Sequence, residues 1–380
     1  MRIGFDVSQT ADSMAGCGVF AAELFKALIT EGLDDTFIPY PVFSGYRSAA
    51  YRQALRPEVP NVDARLHDLD WAAVNAGWDQ TDRRHQFLGE PDIVHSNSFG
   101  CPSDLGVPLV YTVYDLSPVE HPEFHTEANR LACFNGLFEA SVQADHFLAI
   151  SKFSRDRFLH WFPHVAASDV TIVYPAARFT AVGDDGDARE VLDRLGLVSG
   201  SFWLAVGTVE PRKNYGTLID AYARLVAERP DSLPLCIVGQ AGWKETPVGQ
   251  RALELGLADR VTVTGFLPDE DLAVLYRHTF GLVFPSHYEG FGLPVIEALA
   301  SGAPVIASRT SSLPEVVGDA GLLVAPDDPE ALTAAMRRLS DDGSLRARLK
   351  DASLTQAAEF SWQGAARRTL DVYHHVQKRP

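Results

Sequence analysis

Two glutamates, Glu289 and Glu297, flank a glycine-bearing turn in HYEGFGLPVIEALASGAPVIAS, residues 287 to 308, where almost every other residue is apolar or small. Paired carboxylates accept hydrogen bonds from ligand hydroxyls or, where they flank a scissile bond, run acid–base chemistry. Gly290 and Gly292 let backbone N–H groups approach a ligand closely, and a helix start behind them favours an anion. Taken singly, Glu297 would only complement a helix dipole and Glu289 would be solvated. Together with the glycines they suit a negatively charged ligand that also carries hydroxyls.

Further along the same argument stand two cations. FWLAVGT reads as a strand running into VEPRKN, so Arg212 and Lys213 occupy a tight strand-to-helix turn, where they could neutralise a diphosphate. Near the start, Gly16, Gly18 and Ala21 match the dinucleotide fingerprint G-x-G-x-x-A. That fingerprint also needs an acidic residue at the end of the second strand, and TFIPYPVF runs into SGYR, which has none. A nicotinamide dehydrogenase is therefore disfavoured, and a glycine loop that admits a phosphate or a sugar is retained.

These residues need a scaffold. FGLVFP and PVIAS are short apolar runs that read as buried strands, and LPVIEALASG between them reads as a helix, with Pro294 at its first position and Gly302 as its C-terminal cap. Glu289 then lies in the loop and Glu297 in about the first turn. Such a unit makes a parallel strand pair, and ligands bind beyond the carboxyl ends of the strands. Similar alternation fills the chain. RIGFDVS, TFIPYPVF, DIVHSN, LVYTVYD, HFLAIS and TIVYP are strand candidates in the first half, and FWLAVGT, LPLCIVG, VTVTGF, GLVFP and PVIAS in the second. A polar, glycine-bearing stretch at 180 to 200 separates them. The reading is α/β, with two Rossmann-like doubly wound domains, 1–180 and 181–360, facing across a crevice, and a C-terminal helix at 361–380 packing back on the first.

Bulk properties narrow the function. The chain has 380 residues, 46% apolar and 22% charged, which suits two ordinary globular domains. A formal net charge of -17 argues against nucleic acid as a partner. Cys17, Cys101, Cys133 and Cys236 are widely spaced, so no zinc site or disulfide framework is expected. MRIGFDVSQ reads directly as a strand and not as a signal peptide, and no apolar run approaches a membrane span; the expected location is cytoplasmic.

The combination of Glu289 and Glu297 around GFGLP, the VGTVEPRKN loop, SGAPVIAS and LPEVVGDAGLLVAPDDPEAL resembles the retaining GT-B glycosyltransferases of family 4. The resemblance covers nearly all of the second half. In the first half GCGVFAAELFKAL, VYTVYDLSPVEHPEF and AISKFSRDRF resemble the family more loosely. It implies that the second domain binds a nucleotide-diphosphate sugar and the first serves the acceptor. By the same resemblance Glu297 holds the ribose hydroxyls, Glu289 lies near the transferred hexose, and the amides of Phe291, Gly292 and Leu293, beside Gly290, meet the phosphates. Arg212 and Lys213 stabilise the leaving diphosphate, Gly265, Phe266 and Leu267 border the base, and Gly207 belongs to the same donor-binding set. Gly16 and Gly18 leave room for the diphosphate from the other domain. Tyr114 and Asp115 of TVYD stand where many relatives have histidine and aspartate, so Tyr114 is read either as touching the donor sugar or as a packed strand-end tyrosine; Val19 replaces a common cation.

No metal and no cofactor besides the donor is expected. The VGTVEPRKN loop resembles that of polysaccharide mannosyltransferases, which makes GDP-mannose the first candidate donor. The acceptor would be a saccharide or a lipid-linked saccharide. Residues 46 to 87, which mix arginines with aromatics, read first as ordinary surface helix and second as a contact for such a lipid or for a membrane surface. Two other functions share the scaffold: a nucleotide-sugar epimerase, which consumes donor without acceptor, and a non-catalytic sugar-nucleotide-binding protein.

Overall fold

The computed structural model describes residues 1–10, 16–40, 55–64, 84–181, 188–244 and 248–378. Most of the 46–87 segment, with its suggested lipid contact, lies outside the described residues. Two compact units are present, one comprising Met1–Pro122, Glu127–Pro175 and Ser361–Pro380, the other Glu123–Thr126 and Ala176–Phe360.

The first unit is built on six parallel strands, β1 (Arg2–Asp6), β2 (Thr36–Tyr40), β3 (Ile93–Ser96), β4 (Leu109–Val113), β5 (His146–Ala149) and β6 (Val170–Ile172), in the order β2-β1-β3-β4-β5-β6. Strands covered on both faces are apolar without alternation, and the residues of β3, β4 and β5 are all buried. The helix Gly16–Glu31 packs Phe20, Phe25 and Leu28 onto the sheet, Phe25 stacking on Phe5 at 4.8 Å. The C-terminal helix Trp362–Gln377 belongs to this unit. Its Trp362 meets Phe20, and its Tyr373 hydroxyl is 2.5 Å from His95 Nδ1 inside the core. Burial pushes His95 down to about 3, so the imidazole there is neutral.

The second unit repeats the plan with β7 (Trp203–Val206), β8 (Leu235–Val238), β9 (Val261–Gly265), β10 (Gly281–Phe284), β11 (Val305–Ser308) and β12 (Gly321–Val324), all parallel, in the order β12-β11-β10-β7-β8-β9. β12 has no counterpart among the strand candidates. GLLV is a short, half-buried edge strand behind a glycine-rich turn, and its apolar signal is correspondingly weak. Leu218, Ile219, Tyr222 and Leu225 of the helix Tyr215–Glu228 are buried on the sheet, with Val226 partly buried beside them.

The order places a topological switch between β7 and β10, since β8 follows β7 on one side while β10 lies on the other. Loops leaving the carboxyl ends of two such strands diverge and open a ligand crevice. The loop after β7 carries Arg212 and Lys213; the loop after β10 carries Glu289. The following helix is Leu293–Ala300, so Pro294 is its second residue and not its first, and Glu297 falls in its second turn and not its first. Gly292 sets that start: its φ of 104° is left-handed, and a Cβ there would lie 2.8 Å from Leu313 Cδ2.

Candidate functional site

Three side chains that the sequence places in two separate loops meet at the β7–β10 switch. Lys213 Nζ donates to Glu289 Oε1 at 2.6 Å, and Arg212 Nη1 donates to Glu289 Oε2 at 2.9 Å. Arg212 also donates to Glu210 Oε1 at 2.6 Å and to the Tyr288 carbonyl at 2.9 Å. Glu289 therefore holds both cations with its two oxygens, while Glu210 fixes the far end of the guanidinium.

The loops that present these groups are pinned by short-range order. Pro211–Lys213 forms a 3-10 turn ended by Asn214, whose φ of 57° is left-handed and whose side-chain amide donates to the Pro285 and Pro326 carbonyls at 3.0 and 2.7 Å. Such a turn aims adjacent side chains outward from a strand end, and the amide ties it to the β10 loop. On the other side the Glu289 amide donates to Ser311 Oγ at 2.9 Å, and His287 N donates to the Arg212 carbonyl at 2.8 Å. Gly207 permits close packing: its φ is 146°, and a Cβ there would come 3.1 Å from Lys213 Cε.

Burial sets the electrostatics. Lys213 is 9% exposed and Glu289 6%. Burial alone raises the Glu289 carboxyl, but the Arg212 and Lys213 charges outweigh it and hold this group below its ordinary value. Burial, with Arg212 adding to it, lowers the Lys213 ammonium against the pull of Glu289. The result is a pair of fixed cations balanced by two built-in carboxylates, Glu210 and Glu289, with their N–H donors held in place.

Glu297 occupies different surroundings. It is 1% exposed, and its Oε1 accepts from Arg178 Nε at 2.6 Å. Arg178 Nη1 also donates to Asp269 Oδ1 at 2.8 Å. Burial pushes Glu297 above the ordinary value despite Arg178, so the two glutamates shift in opposite directions. Between them, Phe291 is buried against Phe360, and the helix Leu293–Ala300 has no side-chain cap at its N-terminus. Ser312 Oγ lies 2.9 Å from both the Glu289 and Phe291 carbonyls and so holds the Gly290 turn. Gly265 has φ of 75° and ends β9; Phe266 beyond it is 59% exposed, and Leu267 is half-buried.

In the first unit Gly16 and Gly18 open the helix Gly16–Glu31, Gly16 exposed and Gly18 buried. Tyr114 packs within the unit. Its hydroxyl donates to the Asn97 carbonyl at 2.9 Å, and its ring packs edge-on against Phe20 at 5.7 Å. The residue just past the end of β4 points back into the core, where a phenol finds a backbone acceptor. Asp115 Oδ1 accepts from the amide and hydroxyl of Ser117 and so starts the short helix Ser117–Glu120. Tyr114→Phe should accordingly lower unfolding free energy by about 1 kcal/mol and leave donor affinity unchanged. Urea unfolding beside calorimetric titration checks this; a variant of full stability with weakened donor binding would return the hydroxyl to the ligand.

Glu210 and Asn214 also belong to this site and stand in the VEPRKN loop, where an acidic residue two positions before an arginine is the available signal. Arg178 has no local signal, because its partners Glu297 and Asp269 are distant in the chain. Among the described residues no group of three His, Cys, Asp or Glu is arranged to hold a metal ion, and no helix is long and apolar enough to cross a membrane. The four cysteines are unbridged, and burial raises the thiols of Cys101, Cys133 and Cys236 to about 12.

Known proteins share this plan. Residues 198–355 match the family described as Glycosyl transferases group 1, and residues 14–177 match Glycosyltransferase Family 4. The chain is 35% identical over 282 residues to O-antigen chain mannosyltransferase B of Escherichia coli, covering 74% of each protein. It is 32% identical over 395 residues to D-inositol 3-phosphate glycosyltransferase of Acidothermus cellulolyticus, covering 94% of this chain and 85% of that protein. The crystal structure of Anabaena HepE in complex with UDP and glucose matches with a TM-score of 0.73 at 20% identity, over 98% of this chain and 99% of HepE, a likeness of fold.

Proposed function

Because the chain belongs to the family 4 glycosyltransferases and has their GT-B fold, we propose that it is a retaining, metal-independent hexosyltransferase that moves mannose from GDP-mannose to a saccharide or lipid-linked saccharide in glycan synthesis. The observation that carries this reading is the pair of a half-buried Arg212 and a buried Lys213 seated on Glu289 at the β7–β10 switch. The mannosyl part rests on the similarity to O-antigen chain mannosyltransferase B.

In the proposed reaction the bond between the hexose anomeric carbon and the diphosphate breaks, and a bond from that carbon to an acceptor oxygen forms on the same face. The departing diphosphate takes the acceptor proton. Charge on the diphosphate grows as the bond breaks, and Arg212 and Lys213 meet it as fixed cations that need no reorganisation. Glu289 orients the two cations, Glu297 accepts from the ribose, the Phe291–Leu293 amides meet phosphate oxygens, and Gly265, Phe266 and Leu267 border the base. The enzyme works in the cytoplasm.

The test is product analysis with a panel of sugar nucleotides and saccharide acceptors, with and without excess EDTA. Transfer from GDP-mannose should leave one GDP per extended acceptor, keep the donor's anomeric configuration in the product, and persist in EDTA. An inverted product would overturn the retaining step, and activity that only magnesium or manganese restores would overturn metal independence. Donor consumed into an epimer without acceptor would replace the transferase reading with an epimerase.

A further inference from the structure

Arg178 follows directly on the start of the second unit, in VYPAARF, where nothing in the sequence marks it for function. Its surroundings do. The guanidinium is clamped between carboxylates of two elements, Glu297 of the helix Leu293–Ala300 at 2.6 Å and Asp269, the first residue of the helix Asp269–His278, at 2.8 Å. Its face lies over the Phe179 ring, with the guanidinium carbon 4.6 Å from the ring centroid. A planar fork held at two ends and on one face has a single orientation. Only one oxygen of Glu297 is bound to it.

A second observation points to a ligand at the same spot. The Tyr276 hydroxyl is buried beside Glu297, close enough to favour its charged form, yet in full hydrogen-bond geometry to no described residue. A buried hydroxyl without a partner costs free energy that a ligand hydroxyl would recover. The groups facing Glu297 are thus Arg178, Tyr276 and, one step further, Asp269. Burial works against the charged form of Glu297, and Arg178 is the cation that opposes it.

We propose that Arg178 is the positioning residue for the donor ribose: it fixes the rotamer and the charge of Glu297, so that the remaining carboxylate oxygen, with the Tyr276 hydroxyl, meets the ribose hydroxyls. The inference rests on the reading of Glu297 as the ribose acceptor. It adds that the affinity carried by the ribose hydroxyls depends on a residue that itself touches no ligand atom.

Calorimetric titration of the full-length protein with GDP and UDP, each against its 2′,3′-dideoxy form, tests it. The unaltered protein should prefer the hydroxyl-bearing form of the base it accepts by roughly ten-fold, in keeping with hydrogen bonds to a charged group. In Arg178→Met that preference should fall below about two-fold, with affinity for the dideoxy form unchanged. Arg178→Lys keeps the charge without the fork and should lie between. A residue that merely supports the fold would weaken both forms equally, and that result overturns the proposal. So does a full preference retained in Arg178→Met or, where that variant does not fold, in Arg178→Lys. Absence of any preference in the unaltered protein would instead overturn the ribose role of Glu297, and the proposal with it. Failure to bind either nucleotide would overturn the donor site itself.

Discussion

Lys213→Ala should lower kcat by about two to three orders of magnitude, the usual consequence of removing one preorganised donor from a developing negative charge. The donor KM should change far less, because the lost interaction strengthens as the diphosphate departs. Stability should fall as well. Lys213 Nζ and Glu289 Oε1 are 2.6 Å apart and nearly buried, so the truncation leaves one oxygen of a buried carboxylate without its partner. Arg212 still holds the other oxygen at 2.9 Å, which limits the loss to about 2 kcal/mol. The two effects can be separated. In Lys213→Ala/Glu289→Ala the orphaned carboxylate is gone, so stability should recover in part while turnover stays low. Recovery of turnover in the double variant would show that Lys213 serves only to neutralise Glu289. Acid unfolding gives the matching sign. The folded Glu289 carboxyl lies below its ordinary 4.5, so its stabilisation is present above that pH and is lost as pH falls. Without Lys213 the folded carboxyl lies nearer its ordinary value, so that loss should be smaller and should finish at a higher pH.

Gly239→Ala should cost about 3 kcal/mol, the upper end for overpacking, seen as a drop of roughly 6 to 12 °C in the melting of a unit this size. A Cβ at Gly239 would sit 1.9 Å from the Gly207 carbonyl oxygen and 2.6 Å from its carbon. Both are backbone atoms, so no side chain can rotate away. The strand ends would have to separate, and Gly207 is held at this point by its amide on the Val238 carbonyl at 2.9 Å. The disturbance also reaches the cations, since Gly207 packs on the Lys213 stem and its carbonyl accepts from Tyr215 at 2.9 Å. Donor affinity should therefore weaken together with stability. Gly216→Ala is the control: nothing lies within 4 Å of its Cβ position, and alanine favours the helix. A Gly239→Ala protein that melts within 2 or 3 °C of the parent, by an estimate from size scaling, would mean the β7 and β8 ends relax more easily than this packing allows.

What could be read from the residues alone was whatever is local. Buried parallel strands are continuous apolar runs, and the helix Tyr215–Glu228 shows its apolar face in the spacing of Leu218, Ile219, Tyr222 and Leu225, so all but one of the strands among the described residues, and the α/β alternation, were legible. GLLV of β12 was not, because a half-buried edge strand of four residues needs only a weak pattern. Gly292 signalled a turn, and adjacency signalled the Arg212–Lys213 pair.

Only the tertiary structure decided which charges meet. Glu289 is 77 residues from Arg212, and Glu297 is 119 from Arg178; their pairing follows from strand order, which no local pattern encodes. Tyr114 shows the same limit in reverse. A strand-end tyrosine is compatible with either direction, and the Asn97 carbonyl and the Phe20 ring, neither near it in the chain, turned it inward. Residue types and spacing pointed to a set suited to phosphate and hydroxyl groups. Packing decided that Glu289 and Glu297, eight positions apart, are a counter-ion to two cations and a partner of Arg178, because burial makes each carboxylate depend on the cation that chain topology brings to it.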